Sequence, residues 1–297
     1  MVSEQRKQFR TAVAQNAEST LEASPSAQAK LQLLQRRILA GALTVLRYSP
    51  PTMNVPALAF DRVSKTYGRG SRILDAVSFE VHPREFFGLA GVNGAGKTSL
   101  IKCTLDLADF SSGQISIFGV SSTRFEARRR LAFLPERFMP PHYLTGRDFL
   151  RMMAALHHHE HDDAAALDMC AKLDLSADAM HRPVRAFSKG MTQKLGLAAV
   201  FLSGSELLVL DEPMSGLDPK ARALVKDQLF AQRDAGRTLF FTSHQLADVE
   251  EICDRIAILH GGRLAFSGAP QDLLTSTRAA SLERAFLHVI GTNAGVA

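Results

Sequence analysis

The octapeptide GVNGAGKT, residues 91–98, constrains the fold of this chain more than any other segment. It lies between the apolar run EFFGLAG, which predicts a buried strand, and KTSLIKCTLDL, which predicts a helix. In that context the pattern G-x-x-x-x-G-K-[ST] is typical of a phosphate-binding loop. Its glycines let backbone N–H groups surround phosphate oxygens, and the helix N-terminus adds its positive dipole end. Lys97 would bridge the outer phosphates and Thr98 would offer a hydroxyl to Mg²⁺; the alternative is a plain glycine turn.

Strand-like and helix-like segments alternate along the chain. The apolar runs ELLVLDEP and TLFFTSH are separated by the helix-like KARALVKDQLFAQRDAG, which predicts a parallel sheet. Nearer the start, ALAFDRVSKTY and SRILDAVSFEV alternate apolar and polar residues around GRGS, as an antiparallel hairpin does. The stretch from roughly 140 to 203 is helical in pattern, with Thr145 and Asp148 predicted to cap one helix and Asp163 the next.

Two acids follow the second apolar run, where LLVLDE ends in Asp211 and Glu212. Burying two carboxylates at a strand end without partners is costly, so they are expected to have partners there. The roles that match are Asp211 holding Mg²⁺, largely through water, and Glu212 polarising the attacking water in a hydrolysis. The alternative is a pair of surface acids at a capped strand end.

Further motifs follow in a fixed order. Tyr67 precedes the glycine loop, FSKGM precedes the two acids, SGLD follows them at Ser215, and TLFFTSH ends in His244. With this order, residues 57–275 resemble an ATP-binding cassette (ABC) transporter ATPase. The resemblance implies an α/β fold: a P-loop NTPase (RecA-like) core with a parallel sheet, an N-terminal antiparallel β subdomain and an inserted α-helical subdomain at about 137–203.

The resemblance also assigns roles to residues of the nucleotide site, with ATP and Mg²⁺ as cofactors. It implies that Tyr67 stacks on adenine, that Glu212 is the catalytic base, and that His244 is the switch histidine that contacts the γ-phosphate. The residues expected to bind ATP are Tyr67, Gly91, Asn93, Gly94, Ala95, Gly96, Lys97, Thr98 and Ser99. Taken alone, Tyr67 could be a packed strand residue and His244 a surface histidine.

FSKGM resembles the family signature usually written LSGGQ, with Lys189 in place of the first glycine and Met191 in place of the final glutamine. Ser188, Lys189 and Gly190 are expected to meet the ATP of a partner cassette, although Ser188 could also be an ordinary helix cap. SGLD resembles the D-loop, whose Ser215 and Asp218 cross to the partner. In this family each ATP lies between the P-loop of one cassette and the signature of another, so we expect a second cassette, most simply as a homodimer.

Glu136, in FLPERF, lies 39 residues after Lys97, where the family has the glutamine of its Q-loop. The resemblance therefore implies a metal-proximal role, and the expected metal set is Thr98, Asp211 and Glu136. A plain surface acid is the alternative.

The form SKGM, the glutamate of LPERF and the closing SLERAFLHVIG are similar to cassettes that pair with separate export-type permeases. That resemblance implies an ATPase on the cytoplasmic face of the membrane, peripheral to it, which drives a permease on a separate chain. Residues near 137–185 would receive the permease. One alternative is a soluble ABC-type ATPase acting on ribosomes or nucleic acid; another is a P-loop GTPase or kinase, although no N-K-x-D guanine motif occurs.

The composition of the chain narrows the classes of protein to which it can belong. The formal charge of +5 does not predict a nucleic-acid-binding surface, because residues 1–52 contribute +4 and the remainder is nearly neutral. Three widely separated cysteines indicate neither a disulfide framework nor a zinc site. The longest apolar segments are well short of the roughly 20 residues that span a bilayer, so no transmembrane helix is expected, and no secretory signal is evident.

The predicted domains are an N-terminal extension (1–52), the ATPase domain (53–280) and a C-terminal tail (281–297). The extension predicts either a solvated or disordered segment or a basic amphipathic helix, and Met53 is an alternative start. HHHEHDD (157–163) has metal-ligand residue types but only one i, i+4 histidine pair, so a solvated inter-helix loop is favoured. RFEARRR (124–130) is interpreted as a solvated helix face rather than a nucleic-acid contact.

Overall fold

The computed structural model describes residues 55–68 and 70–292. The predicted extension and Met53 lie outside these ranges. The strands are β1 (Leu58–Tyr67), β2 (Ser71–Val81), β3 (Phe86–Ala90), β4 (Ser112–Ile117), β5 (Val120–Ser121), β6 (Leu131–Leu134), β7 (Leu207–Asp211), β8 (Thr238–Ser243), β9 (Arg255–His260) and β10 (Arg263–Gly268). The α-helices are α1 (Lys97–Thr104), α2 (Gly146–Leu156), α3 (Asp163–Lys172), α4 (Ala177–Met180), α5 (Lys189–Leu202), α6 (Pro219–Asp234), α7 (Leu246–Ile252), α8 (Pro270–Thr277) and α9 (Leu282–Thr292).

The larger sheet has six strands in the order β10-β9-β3-β8-β7-β6. Strands β9, β3, β8, β7 and β6 are parallel and only β10 is antiparallel. Every residue of β3, β7 and β8 is buried, as a parallel sheet covered on both faces requires. The predicted parallel sheet is therefore confirmed. Because parallel strands end at the same edge, the glycine loop, the two acids and His244 are all delivered to one side of the sheet.

The smaller sheet is antiparallel, in the order β2-β1-β4-β5, and its β1–β2 pair is the predicted hairpin. It packs on the larger sheet through aromatic rings. Phe79 stacks on Phe87 with centroids 5.2 Å apart. Phe240 lies 6.2 Å from both of these rings, and Phe60 lies 4.5 Å from Phe79. These rings belong to one hydrophobic cluster that includes Leu100 and Ile101 of α1. This core fixes β3 and α1, and hence both ends of the glycine loop.

The predicted helical stretch contains α2 to α5, which confirms its helical character. Thr145 caps α2 as predicted, because its side chain accepts from the N–H of Asp148 at 3.1 Å. The cap assigned to Asp163 is wrong: the neighbouring Asp162 caps α3, accepting from the N–H groups of Ala164 and Ala165. Asp163 is the first helical residue, and its carboxylate pairs with Arg147 instead.

The predicted C-terminal tail contains a packed element. Helix α9 (Leu282–Thr292) buries Leu282 and Ala285 completely, and both belong to the cluster that covers the other face of the large sheet. The hydrophobic contact explains the helix, because its apolar face meets the sheet and α7 rather than solvent. Residues 282–292 are therefore an integral part of the domain.

Apart from Ala127, every residue of the two polar segments predicted to be solvated is exposed or partly exposed, but each segment contains at least one side chain with a specific partner. His157 ends α2 and residues 158–162 join it to α3, but the His161 side chain is largely buried and bonds Asp163 at 2.9 Å. Within residues 55–68 and 70–292, no three His, Cys, Asp or Glu side chains come together as a metal-holding group. RFEARRR includes a 3₁₀ helix (Phe125–Arg130), from which Arg130 makes two 2.6 Å bonds to Glu206. None of the helices in the described part of the chain has the length and apolar character needed to cross a bilayer.

Candidate nucleotide site

The glycine loop joins β3 to α1 and turns in a way that requires glycine. Gly94 and Gly96 have φ angles of 80° and 109°, in the left-handed region. A Cβ atom on Gly96 would lie 2.8 Å from Leu74 and 2.9 Å from the carbonyl oxygen of Ile73. Helix α1 begins directly after Gly96 without a side-chain cap, so the amides of its first turn have no intrahelical partner. The loop therefore presents uncapped N–H groups, which suit a bound anion.

Lys97 lies at the base of this loop and is mostly buried. Its Nζ donates to the carbonyl oxygens of Gly91 at 2.6 Å and Val92 at 3.3 Å. Burial lowers the pKa of Lys97, while the charges of Glu212, Asp211 and Glu136 act in the opposite direction. The ammonium group is thus held inside the loop, with acids rather than another cation facing it.

Asp211 ends β7 with its carboxylate bonded on both oxygens. Thr98 Oγ1 donates to Oδ2 at 3.2 Å, and Thr242 Oγ1 donates to Oδ1 at 2.6 Å. Burial raises the pKa of Asp211 despite these bonds, and the nearby charge of Glu136 adds to the increase. The carboxylate is therefore fixed beside the loop hydroxyl, which is the arrangement that a shared cation needs.

Thr242 also fixes the next acid, because its hydroxyl accepts from the backbone N–H of Glu212 at 3.0 Å. Sequence reasoning missed this threonine. The parallel pairing of β7 and β8 places it opposite Asp211, and its only sequence signal is a polar residue near the end of TLFFTSH. One side chain thus orients both residues of the acidic pair.

Glu212 has a φ of 49°, an unusual value for a residue with a side chain. Its Oε2 lies 2.8 Å from Nδ1 of His244, which follows β8. The Glu212 side chain is 12% exposed and that of His244 is 52% exposed. The pair consequently lies at the solvent-facing edge of the site. There the carboxylate of Glu212 can accept a proton from water, and the imidazole of His244 can hold that carboxylate in place.

A cavity of about 470 Å³ brings these residues together. It is lined by Tyr67, Ile73, Asn93, Gly94, Ala95, Gly96, Lys97, Thr98, Ser99, Glu136, Asp211, Glu212 and His244. Ile73 was not predicted, whereas Tyr67 and Glu136 were. Gly91 instead lines an adjoining cavity of about 220 Å³ with Val92, Ser243, Leu246 and Phe286. The predicted ATP and metal residues other than Gly91 therefore share one space.

The signature and D-loop residues are not in the lining of that cavity. Ser188 caps α5, accepting from the N–H of Met191 at 3.2 Å, and Asp218 caps α6. The two segments touch each other: a Cβ atom on Gly216 would lie 3.1 Å from Cε of Lys189. The structure therefore groups Ser188, Lys189 and Gly190 with the Ser215–Asp218 turn, apart from the glycine loop of the same chain.

Residues 74–215 match the family model described as ABC transporter. The chain is 35% identical to the Nod factor export ATP-binding protein I of Burkholderia thailandensis over 230 residues, covering 75% of this chain and 74% of that protein.

Two solved structures have the same fold. One, described as an ATP-binding subunit of an ABC transporter, is 30% identical with a TM-score of 0.72, and the match covers 78% of this chain and 99% of that one. The other is an ATP-binding cassette in a dimeric, post-hydrolysis state bound to ADP and Pi. At 18% identity and a TM-score of 0.66, covering 71% of this chain and 98% of that one, it supports the fold alone.

Proposed function

Since the chain belongs to the ABC transporter family as an ATP-binding, ATP-hydrolysing subunit, we propose that it drives a membrane permease carried on a separate chain. We propose further that this permease exports its substrate. The support for export is the similarity to the Nod factor export ATP-binding protein, which spans about three quarters of both chains. The support for a separate permease is that the similar proteins are themselves described as an ATP-binding protein and an ATP-binding subunit.

The observation that carries the proposal is the Glu212–His244 pair at the mouth of the glycine-loop cavity. In this arrangement water forms a bond to the terminal phosphorus as the bond from that phosphorus to ADP breaks, and Glu212 accepts the proton that the water loses. His244 holds the carboxylate and contacts the terminal phosphate. Lys97 and the uncapped amides of α1 bind the phosphate oxygens as charge moves onto them.

The same cavity suits Mg²⁺ with a nucleotide. Thr98 Oγ1, Asp211 and Glu136 supply only oxygen atoms, which are the ligands that Mg²⁺ prefers. They do not form a complete cage, and Mg²⁺ in nucleotide sites is commonly completed by phosphates and water. When bound, the cation would neutralise phosphate charge. Thr242 would keep Asp211 oriented toward it.

The adenine ring is proposed to lie against Tyr67. The tyrosine is 44% exposed and lines the cavity beside Ile73, so one face of the ring is open to a planar base. Lys65 Nζ lies 4.6 Å from the ring centroid as a cation–π partner. The β1–β2 hairpin would thus bind the base while the glycine loop binds the phosphates.

A second copy is proposed to complete each site. Ser188 and Gly190 are exposed or partly exposed and lie outside the cavity, so within one chain they have no nucleotide to contact. In a twofold homodimer the signature of each copy would cover the ATP held by the other, with Ser215 and Asp218 crossing alongside. ATP binding would close the pair and hydrolysis would open it, which is the motion that drives the permease.

The proposed permease contact lies on the helical part of the domain, on the cytoplasmic face of the membrane. Met139 and Tyr143, in the segment between β6 and α2, are 83% and 78% exposed. Large apolar side chains so exposed favour a protein contact. This segment follows Glu136, so it connects the nucleotide cavity to the proposed contact.

Affinity capture from solubilised membranes tests this function. Tagged wild-type chain should recover one multi-span membrane protein, and Met139→Asp should reduce that recovery by about tenfold, because a charge is placed in an apolar contact. Leu107→Asp is the matched control, since Leu107 is 67% exposed on a loop after α1. Recovery of ribosomes or DNA by wild type would contradict the transporter role, and equal loss in both variants would remove the argument for this surface.

A further inference from the structure

A cluster of charged side chains joins α6 to α7 outside the nucleotide cavity. Asp248, on α7, is 3% exposed and is held by two cations of α6. Arg222 donates to Oδ2, and Lys226 lies 3.0 Å from Oδ1 and also pairs with Glu251. A buried carboxylate is stable only when it is paired in this way. The cluster therefore sets the spacing between the two helices.

Arg222, unlike Lys226, also binds a residue next to His244. Its Nη2 also donates to Oε1 of Gln245, the residue directly after His244. The backbone of Gln245 is itself fixed, because its N–H donates to Ser243 Oγ at 3.0 Å and its carbonyl oxygen accepts from that hydroxyl at 3.3 Å. The guanidinium thus reaches the turn that carries the switch histidine.

The backbone of Arg222 is anchored at the D-loop. Its N–H donates to the carbonyl oxygen of Asp218 at 3.0 Å, and Asp218 caps α6 through the N–H of Ala221 at 2.9 Å. The backbone of Arg222 therefore lies one helical turn after the D-loop residue Asp218. Its side chain binds Gln245, the residue directly after His244. No other contact described for α6 reaches the residues next to His244 in this way.

We propose that Arg222 is a positioning residue for His244. His244 is half exposed, so the direction in which its imidazole reaches Glu212 depends on the turn of residues 243–245. Arg222 fixes that turn from outside by binding Gln245 and Asp248 with one planar group. Through its place on α6, it also makes the position of His244 depend on the D-loop, which contacts the partner copy in the proposed dimer. The inference rests on the catalytic roles proposed for Glu212 and His244.

Arg233 provides a matched control on the same pair of helices. Its Nη2 donates to the carbonyl oxygen of Ile252 at the end of α7, and it pairs with Asp254 at 3.3 Å. Arg233 thus links α6 to α7 by the same chemistry, but at the end of α7 away from His244. A purely structural role for Arg222 would make the two arginines equivalent in their effect on turnover.

The experiment compares Arg222→Gln, Arg233→Gln and His244→Ala in ATP turnover, thermal unfolding and the NMR shifts of the His244 imidazole. Arg222→Gln is expected to lower kcat about tenfold with KM within about twofold, because the proposed contacts of ATP with the glycine loop and Tyr67 are unchanged. It should also shift the His244 ring resonances. Arg233→Gln should lower the melting temperature while leaving kcat and those resonances unchanged.

Gln245→Ala keeps the test decisive if Arg222→Gln does not fold. Gln245→Ala, Arg222→Lys and the double variant form a double-mutant cycle; the lysine retains the charge but not the planar group. The loss of kcat in the double variant should be smaller than the sum of the two single losses. Additive losses would overturn the inference. Full turnover in His244→Ala would refute the proposed role of His244 itself, whereas loss in His244→Ala with normal kcat in Arg222→Gln would overturn only the role of Arg222.

Discussion

The two halves of the proposed catalytic site begin with helix N-termini that differ in one respect. Helix α1 follows Gly96 and has no side-chain cap, whereas α5 and α6 are capped by Ser188 and Asp218. The uncapped end of α1 faces the nucleotide cavity with Lys97, whereas Ser188 and Asp218 are not among the residues that line this cavity. The P-loop half thus has free N–H groups that can bind phosphate without help from a second chain. In the signature half, the side chains of Ser188 and Asp218 already accept from the helix N–H groups within one chain.

This difference indicates how the signature half can act without losing its own structure. Ser188 accepts the N–H of Met191 through its oxygen, which leaves the hydroxyl proton available. The serine can therefore cap α5 and donate to a phosphate at the same time. The amides of the glycine loop gain a hydrogen-bond partner only when phosphate binds. The capped amides at the start of α5 and α6 have partners without a ligand.

The largest effect is expected from Lys97→Ala, which removes the only ammonium seen in the described lining of the cavity. Turnover should fall by at least about a hundredfold, because one positioned donor to developing charge is worth about that much. ATP hydrolysis by purified protein is the measurement. Lys102→Ala, an exposed lysine on the same helix, is the control and should keep wild-type turnover. Equal turnover in both variants would refute the functional assignment of the glycine loop.

Glu212→Gln should lower turnover by about a hundredfold while ATP still binds, because the amide cannot accept the proton from water. ATP should then hold the two copies together, and light scattering should detect an ATP-dependent dimer. The exposed Glu250→Gln provides the control. A variant that stays monomeric with ATP and remains fully active would contradict both the base role and the shared site.

Mixing two inactive variants tests whether the halves act across two chains. Lys97→Ala lacks a working P-loop, and Ser188→Arg places a bulky cation in the signature; each alone should be inactive. Mixed dimers contain one site with both halves intact, so an equal mixture should recover about a quarter of wild-type turnover. No recovery, with mixed dimers demonstrated by mass, would mean that each chain completes its own site.

Glu136→Gln should have the smallest effect. The charge of Glu136 raises the pKa of Asp211, so its removal should lower that pKa and keep Asp211 ionised to lower pH. The acid limb of the turnover profile should therefore move to lower pH, with a changed Mg²⁺ dependence and ATP affinity within about twofold. Exposed Glu283→Gln is the control. An unchanged profile and Mg²⁺ dependence would make Glu136 a surface acid.

The sequence predicted the features that short patterns encode. The glycine loop, the acids after a buried strand and the histidine after another strand each carry a local signal, and parallel strands bring their ends to one edge. This is why Lys97, Asp211, Glu212 and His244 were predicted to act together and are found around one cavity.

Features that depend on tertiary contacts were missed. Asp162 and Asp163 are the same residue type, so either could cap the helix. In the structure Asp163 pairs with Arg147, 16 positions away, and Asp162 is the cap. Thr242 became relevant only through the register of β7 and β8. The helix in the predicted tail required the cluster that buries Leu282. In each case the missing information was which distant surface the residue would meet.

The contact between Lys189 and Gly216 has an evolutionary consequence. Gly216 has a φ of 75°, and a side chain there would lie 3.1 to 3.2 Å from the end of the lysine. The lysine that departs from the family signature thus occupies the space that the D-loop glycine leaves open. The two positions are expected to be epistatic: a side chain at 216 should be tolerated less well with lysine at 189 than with glycine, and related cassettes should vary at the two positions together.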